Sequence, residues 1–480
     1  MGHDVSAHSL SVGATMTAAQ AIKVTETSNG FDAAAIARLK SRFRGPLLTP
    51  DDADYEHARH VWNGMIDKRP VLIARCTGVA DVVEAVNFAR AHGLPVAMRC
   101  GSHNAAGHGT CDGGIVLDMT LMKGIRVDPA KRRVHSQGGV LWREFDRETQ
   151  IYGLGTTGGA VNDTGTVGLT LGGGIGWLMG QFGLACDNLV SVDLVTADGK
   201  PVTASASEHP DLFWALRGGG GNFGVVTSLE FQLHPVGEWL AGTVIYPRSQ
   251  AREILRFQRD FAQSASDPTM SFAALMSAPD GSPVIVLPIA YHGPLSEGER
   301  VLAPLRNLGT PLLDDVGPKT YTEVQSIFNP DVFPHGMHRY WKSSFLKNPS
   351  DAALDLALEY ANQMASPHSM ILLYLVNGAA TRVPAEETAF GLRDALWNLD
   401  VIGQWTDPAD AARHVPWVRE CWKALDAHST GGVYVNHLGG DEPERVRDAF
   451  GQNYARLVEV KQKYDPENMF RFNQNIRPTA

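Results

Sequence analysis

The chain has 480 residues, 44% of them hydrophobic, enough to bury a large core in about two domains. Lysine and arginine total 42 against 52 aspartates and glutamates, and the net charge of −10 argues against nucleic acid or an anionic membrane as partner. The five cysteines include no C-x-x-C pair, so no disulfide framework is expected and a reducing compartment suits them.

Residues 1–30 lack the basic and apolar regions of a secretory signal and read as a flexible tail. No apolar run approaches the ~18–20 residues needed to span a bilayer. A cytoplasmic protein without membrane contact is the expectation.

The first clear element is a helix. Asp81 suits its N-cap, Val82, Val83, Val86 and Ala89 recur at helical spacing, and Gly93 suits its stop. Pro95 to Met98 reads as a strand, followed by the loop Arg99-Cys-Gly-Ser-His-Asn-Ala-Ala-Gly-His-Gly109. Glycines at 101, 107 and 109 let backbone N–H groups approach an anion, and a dinucleotide pyrophosphate is the obvious guest. Two other readings stand beside it. Cys100, His103, His108 and Cys111 form C-x2-H-x4-H-x2-C, a zinc-like spacing, and a loop histidine can simply be hydrogen-bonded in a turn.

Asp112-Gly-Gly-Ile-Val-Leu-Asp118 follows, and then Thr156 to Trp177, a stretch so rich in glycine that its partner is a flat cofactor rather than a core. Val190 to Thr196 and the turn Ala197-Asp198-Gly199 predict a buried strand and hairpin. Gly219 to Gly224 satisfies G-x-G-x-x-G, the nicotinamide-dinucleotide fingerprint. That fingerprint needs a strand before and a helix after. Here a helix (Asp211 to Leu216) precedes, and the period-two run Val225 to Leu233 follows as a strand.

Residues 236–435 contain none of these glycine-rich elements. They alternate helical stretches (Ser249 to Gln263, Ala352 to Met364) with strand-like runs (Pro283 to Tyr291, His338 to Leu346, Met370 to Val376), predicting an antiparallel sheet covered by helices. Arg339, Trp341 and Ser343 share one face of a strand, Tyr374 lies on a later one, and Gln404 and Trp405 follow a helix. Arg339, Trp341, Tyr374 and Gln404 are candidate pocket residues.

These motifs resemble the berberine-bridge-enzyme-like flavoproteins of the vanillyl-alcohol-oxidase superfamily. Arg99 to Gly107 matches the family's R-x-G-G-H-x-x-x-G, departing only at Ser102, and Arg217 to Val226 matches its R-G-G-G-x-N-F-G-V-V. Tyr434-Val-Asn-His437, Asn453 to Leu457, Lys461 to Arg471 and Asn473-Gln-Asn-Ile476 are similar to its ending.

The resemblance implies an α+β, two-domain PCMH-type FAD-binding fold with an inserted α+β substrate domain. The boundaries would be a flexible N-terminal segment and lead-in at 1–44, an FAD-binding domain at 45–235, a substrate domain at 236–435, and a C-terminal return at 436–480. It implies FAD bonded once to the protein, through His103 to the flavin 8α-carbon. Bicovalent relatives carry a second, cysteinyl bond at the position of Val161 here.

FAD contacts are then expected from Arg99, Gly101, Ser102, Asn104, Ala105 and Gly107, and from Thr157, Gly158, Gly159, Thr164, Gly165, Thr166, Gly168 and Gly174. Val226, Asn473 and Asn475 complete the set. No metal is expected.

The family often uses the last tyrosine of Y-x-N-Y as base, a place held here by His437. An imidazole titrates nearer neutrality than a phenol, which suits it to the role. Read as a strand, the segment puts Val435 and His437 on one face, and Tyr434, the second catalytic candidate, with Asn436 on the other.

The implied reaction is hydride transfer from a small organic molecule (alcohol, amine, sugar or phenol) to flavin N5, with electrons passing to O2 and giving H2O2. Thr164 stands where a valine accompanies oxidases in plant relatives and a leucine accompanies dehydrogenases. A dehydrogenase with another acceptor, or a flavin-sequestering protein without turnover, are the alternatives. Neither the substrate nor the oligomeric state follows from these residues.

Overall fold

The computed structural model describes residues 33–394 and 396–479, and the expected tail 1–30 lies outside the described residues. Residues 33–40, within the lead-in, form a helix, Ala33–Lys40. Its Ala35 and Leu39 are buried against Val82, Ala85 and Val86 of the helix Val79–Ala91. Gly93 is left-handed (φ 63°) and stops that second helix as predicted. Asp81 is not its N-cap. Gly78 holds that place, and Asp81, in the first turn, accepts from Arg44 N, Thr77 N and Thr77 Oγ1.

Two small sheets make up the first half. In one, Leu72–Arg75, Ile115–Asp118 and Val96–Arg99 run parallel, with Leu47–Leu48 antiparallel at the edge. Their side chains are almost all buried, as both faces of a parallel sheet require. The other is antiparallel, in the order Ile125–Asp128, Arg133–Gln137, Val225–Gln232, Leu189–Val195, Pro201–Ser205. The helix Pro210–Leu216 does precede Gly219–Gly224 and the strand Val225–Gln232 does follow, so the order is the reverse of a nicotinamide fingerprint.

The middle of the chain builds an eight-stranded antiparallel sheet. Its six long strands run Trp239–Pro247, Pro283–His292, Thr269–Ser277, Met370–Val376, Leu396–Trp405, His338–Leu346, the last at the edge. Alternation decides its two faces. Ile371, Leu373 and Leu375, with Trp397, Leu399 and Val401, pack beneath helices such as Ala251–Ser264 and Ala411–Asp426. Leu372, Tyr374 and Ile402 turn the other way, toward the glycine-rich loops. Gln404 and Trp405 end a strand rather than follow a helix.

The last segment folds back on the first half: Val435, Leu438, Phe450, Leu457 and Ile476 share a core with Trp142, Trp214 and Phe223. Lys461, fully buried, donates to Asp465, Asn222 O and Phe470 O and so fastens that return. No helix among the described residues is long and apolar enough to cross a membrane.

Candidate active site

A cavity of about 320 Å3 lies between the glycine-rich loops and the open face of the large sheet. The strand Val96–Arg99 delivers the first loop to it. Arg99 lines the cavity, yet its buried guanidinium donates to the carbonyls of Gly109, Ala58 and Arg59, tying the loop in place. At Ser102 φ is 59°, the left-handed region that glycine enters freely. This is the one position where the loop departs from the family pattern. Among the described residues no acceptor within the chain meets the N–H groups of Ser102, His103, Asn104 or Ala105. Together they form a concave donor surface suited to an anion.

The second loop crosses the first at contact distance: a Cβ on Gly101 would lie 2.3 Å from Gly165 N. Thr164, Gly165 and Gly168 face the cavity, and a Cβ on Gly168 would meet nothing within 4 Å. Val226 and Asn473 also line it, with the Asn473 Oδ1 buried and unpartnered.

The other expected contacts stand behind this wall. Thr157 Oγ1 donates to Gly183 O, Gly158 and Gly159 pack on Trp142, and Thr166 Oγ1 donates to Val140 O. Gly107, Gly174 and Asn475 are likewise outside the lining.

His103 sits in an aromatic stack. Its ring lies 4.8 Å from that of Trp62, and the Arg339 guanidinium lies over the same Trp62 ring at 3.7 Å. His103 Nε2 is 3.0 Å from Asp163 Oδ1, and His335 Nε2 is 2.9 Å from Asp163 Oδ2. Burial pushes the His103 imidazole down from its ordinary value, against the pull of Asp163. Arg339 is thus corrected as a pocket residue. It is 1% exposed, saturated by Gln404 Oε1 and the carbonyls of Trp62, Pro334 and Met337, and it lies outside the lining together with Gln404.

The opposite end holds Tyr434 and His437, and here the strand reading fails. Val435–His437 is a single 3-10 turn, so residues three apart share a side. Tyr434 and His437 therefore face the cavity together, ring centroids 4.8 Å apart. Tyr434 Oη accepts from Gly174 N, Ile175 N and Asn436 Nδ2, and burial pushes its phenol up to about 12.

His437 Nδ1 lies 2.8 Å from Asp400 Oδ1. Asp400, fully buried, also accepts from Trp341 Nε1 (2.9 Å) and Asn398 Nδ2 (2.7 Å). With Nδ1 engaged, Nε2 is the nitrogen left for the cavity. Trp341, its ring 4.6 Å from that of His437, and Tyr374 line the cavity together with Phe272, Phe328, Phe333 and Leu372.

The FAD binding domain family matches residues 70–205, and the berberine and berberine-like family matches residues 433–477. An (R)-6-hydroxynicotine oxidase from Paenarthrobacter nicotinovorans is 32% identical over 456 residues, covering 91% of this chain and 97% of the relative. The chain belongs to the berberine-bridge-enzyme-like family of FAD-linked oxidoreductases. An uncharacterized FAD-linked oxidoreductase of Bacillus subtilis is 32% identical over 449 residues, covering 92% of this chain and 98% of that protein. The crystal structure of 6-hydroxy-D-nicotine oxidase from Arthrobacter nicotinovorans superposes with a TM-score of 0.83 at 31% identity, covering 91% of this chain and 98% of that one.

As a member of this family the chain binds FAD, and the cavity fits it. The unmet N–H groups of 102–105, the orphaned Asn473 oxygen and the open space above Gly168 are what a long polar cofactor with a flat ring requires. The zinc reading fails on geometry. Among the described residues, the potential ligands drawn together (within 4.8 Å) are His103, Asp163 and His335, and Cys100, His108 and Cys111 are not part of that group.

Trp62, Asp163, His335 and Asp400 are absent from the sequence-derived set. The first three meet His103 only through tertiary contact. Asp400 carried a local signal, an acid set between Leu399 and Val401 in a largely apolar strand.

Proposed function

We propose that this flavoenzyme is an oxidase carrying FAD on His103, and that it oxidises a small, largely apolar amine or phenol. The observation that carries the reading is the His437–Asp400 pair at the aromatic end of the cavity that begins at His103. FAD supplies a hydride acceptor at N5. The chain supplies the base. Asp400 holds the Nδ1 proton, so Nε2 presents a lone pair to the substrate hydroxyl or amine and takes its proton.

Trp341 beside His437 shields that transfer from water, and the apolar lining, with Phe272, Phe328, Phe333 and Leu372, offers few partners to a sugar's hydroxyls. A relative named for 6-hydroxynicotine agrees with a flat nitrogenous substrate. Anaerobic bleaching of the flavin by a panel of cyclic amines, phenols, secondary alcohols and sugars tests this. Amines or phenols should bleach it fastest; bleaching by sugars alone would reject the substrate class, and no bleaching at all would indicate a flavin-sequestering protein.

Single covalent attachment has its own measurement. Acid-precipitated protein should stay yellow, while His103→Ala should release all its flavin or bind none. Colourless wild-type precipitate would reject the anchor, and a cysteinyl-flavin peptide would contradict the valine at 161.

Transfer of electrons to O2 rests on Thr164, whose β-branched side chain lines the cavity. A threonine is close to valine in volume and lacks the extra methylene of leucine. Thr164→Leu should slow reoxidation of the reduced flavin by O2 and leave anaerobic reduction nearly unchanged. Wild-type reoxidation no faster than free flavin, with ready transfer to a quinone, would establish a dehydrogenase.

A further inference from the structure

We propose that the Tyr374 hydroxyl is the specificity-determining donor of the substrate pocket, and that it selects molecules carrying a neutral oxygen or nitrogen acceptor besides the group that His437 deprotonates. This rests on the substrate class proposed above.

Tyr374 stands on the open face of the large sheet. Its strand, Met370–Val376, pairs Leu372 with Asp400 and Tyr374 with Asn398. Tyr374 and Asp400 are therefore diagonal neighbours on one face, about 7–8 Å apart by sheet geometry. On the opposite side Tyr374 pairs with Phe272, and the phenol packs against that ring at 5.0 Å between centroids. The register thus puts Tyr374 one rung from the carboxylate that holds His437.

The other polar groups around it are occupied with one another. Asp400 accepts from Trp341 Nε1 and Asn398 Nδ2 and meets His437 Nδ1, and Asn398 Oδ1 accepts from Ser343 Oγ. Tyr434 Oη accepts three N–H groups. Tyr374 differs. Its side chain is 3% exposed and lines the cavity, and no hydrogen-bond partner among the described residues meets its Oη, which is not sealed from the cavity. A buried tyrosine hydroxyl ordinarily has a partner. Here the substrate supplies it.

The character of the donor sets what it selects. Burial first, and then the charge of Asp400 and the neighbouring Tyr434, push the phenol well above its ordinary value, so at neutral pH it holds its proton and offers it. An ether or carbonyl oxygen, a hydroxyl or a ring nitrogen can accept it. A carboxylate in the same place would face the charge of Asp400 across one rung, which favours a neutral acceptor.

The test compares FAD-loaded wild type with Tyr374→Phe, which removes one oxygen and no hydrogen bond within the chain, so melting temperature and flavin content should hold. Both proteins are titrated anaerobically with two pairs of probes in which an oxygen replaces a methylene: morpholine against piperidine, and 4-methoxyphenol against 4-ethylphenol. Dissociation constants are read from the flavin spectrum. In at least one pair the preference for the oxygen-bearing member should fall roughly tenfold from wild type to Tyr374→Phe, about the worth of one buried hydrogen bond, while the methylene member binds as before. Wild type should bind 4-hydroxybenzoate more weakly than 4-methoxyphenol.

An unchanged preference in both pairs, including equal weakening of the two members, overturns the inference and leaves the substrate class standing. Tighter binding of 4-hydroxybenzoate than of 4-methoxyphenol overturns the choice of a neutral acceptor. If no probe perturbs the flavin of wild type, the amine-or-phenol reading falls as well. Should Tyr374→Phe fail to load FAD, Tyr374→Met, which also lacks the hydroxyl, is judged by the same ratio.

Discussion

His437→Ala should slow anaerobic reduction of the flavin by substrate roughly 10²- to 10⁴-fold, the usual loss of a general base, while flavin content stays at the wild-type level. The alanine leaves no acceptor at the point where Nε2 meets the cavity. Asp400→Asn should cost less. Trp341 Nε1 can only donate, so the amide keeps its oxygen at the Oδ1 position, where it still accepts from His437 Nδ1, and what is lost is the negative charge that stabilises the imidazolium.

Tyr434→Phe should affect reduction less. Its phenol, pushed up to about 12 by burial, stays protonated at neutral pH, and its oxygen already accepts from Gly174 N, Ile175 N and Asn436. A greater loss at Tyr434 than at His437 in stopped-flow reduction would transfer the role to the tyrosine.

What could be read from the sequence divides along a physical line. Long runs were legible: Met370–Val376 and His338–Leu346 stood out as strand-like stretches, the first apolar throughout because both faces of that strand are buried. The His103 loop was legible because glycine density marks places where backbone must approach a ligand. Tyr434 to His437 was misread because four residues cannot distinguish a strand from a 3-10 turn, and the error put the two rings on opposite faces.

Contacts between distant segments left no local trace. His335 reaches Asp163 across 172 residues, and the Asn63 side chain meets Arg339 O across 276. Arg339 looked like a pocket residue because an arginine on a cavity-side strand face suggests a ligand. Its actual partners are four acceptors and the Trp62 ring, supplied by the fold.

Asp146→Asn should stabilise the protein at pH 8 and change little at pH 4. Asp146, on the helix Trp142–Gln150, is fully buried. Its Oδ2 accepts from Gln325 Nε2 (2.8 Å), and its Oδ1 has no partner. Burial pushes this carboxyl up from 3.8 to about 7, against a smaller opposing effect of Gln325. In that window the folded protein binds a proton that the unfolded chain has released, so folding stability falls as pH rises from about 4 to 7. Each unit is worth about 1.4 kcal/mol, and the loss at neutral pH and above is on the order of 2–4 kcal/mol.

Asparagine keeps the accepting oxygen and has nothing to ionise, so the variant escapes the loss. The difference in urea midpoints between variant and wild type, near zero at pH 4, should grow to pH 7 and then stay constant. A pH-independent difference would show that Asp146 does not titrate in the folded state.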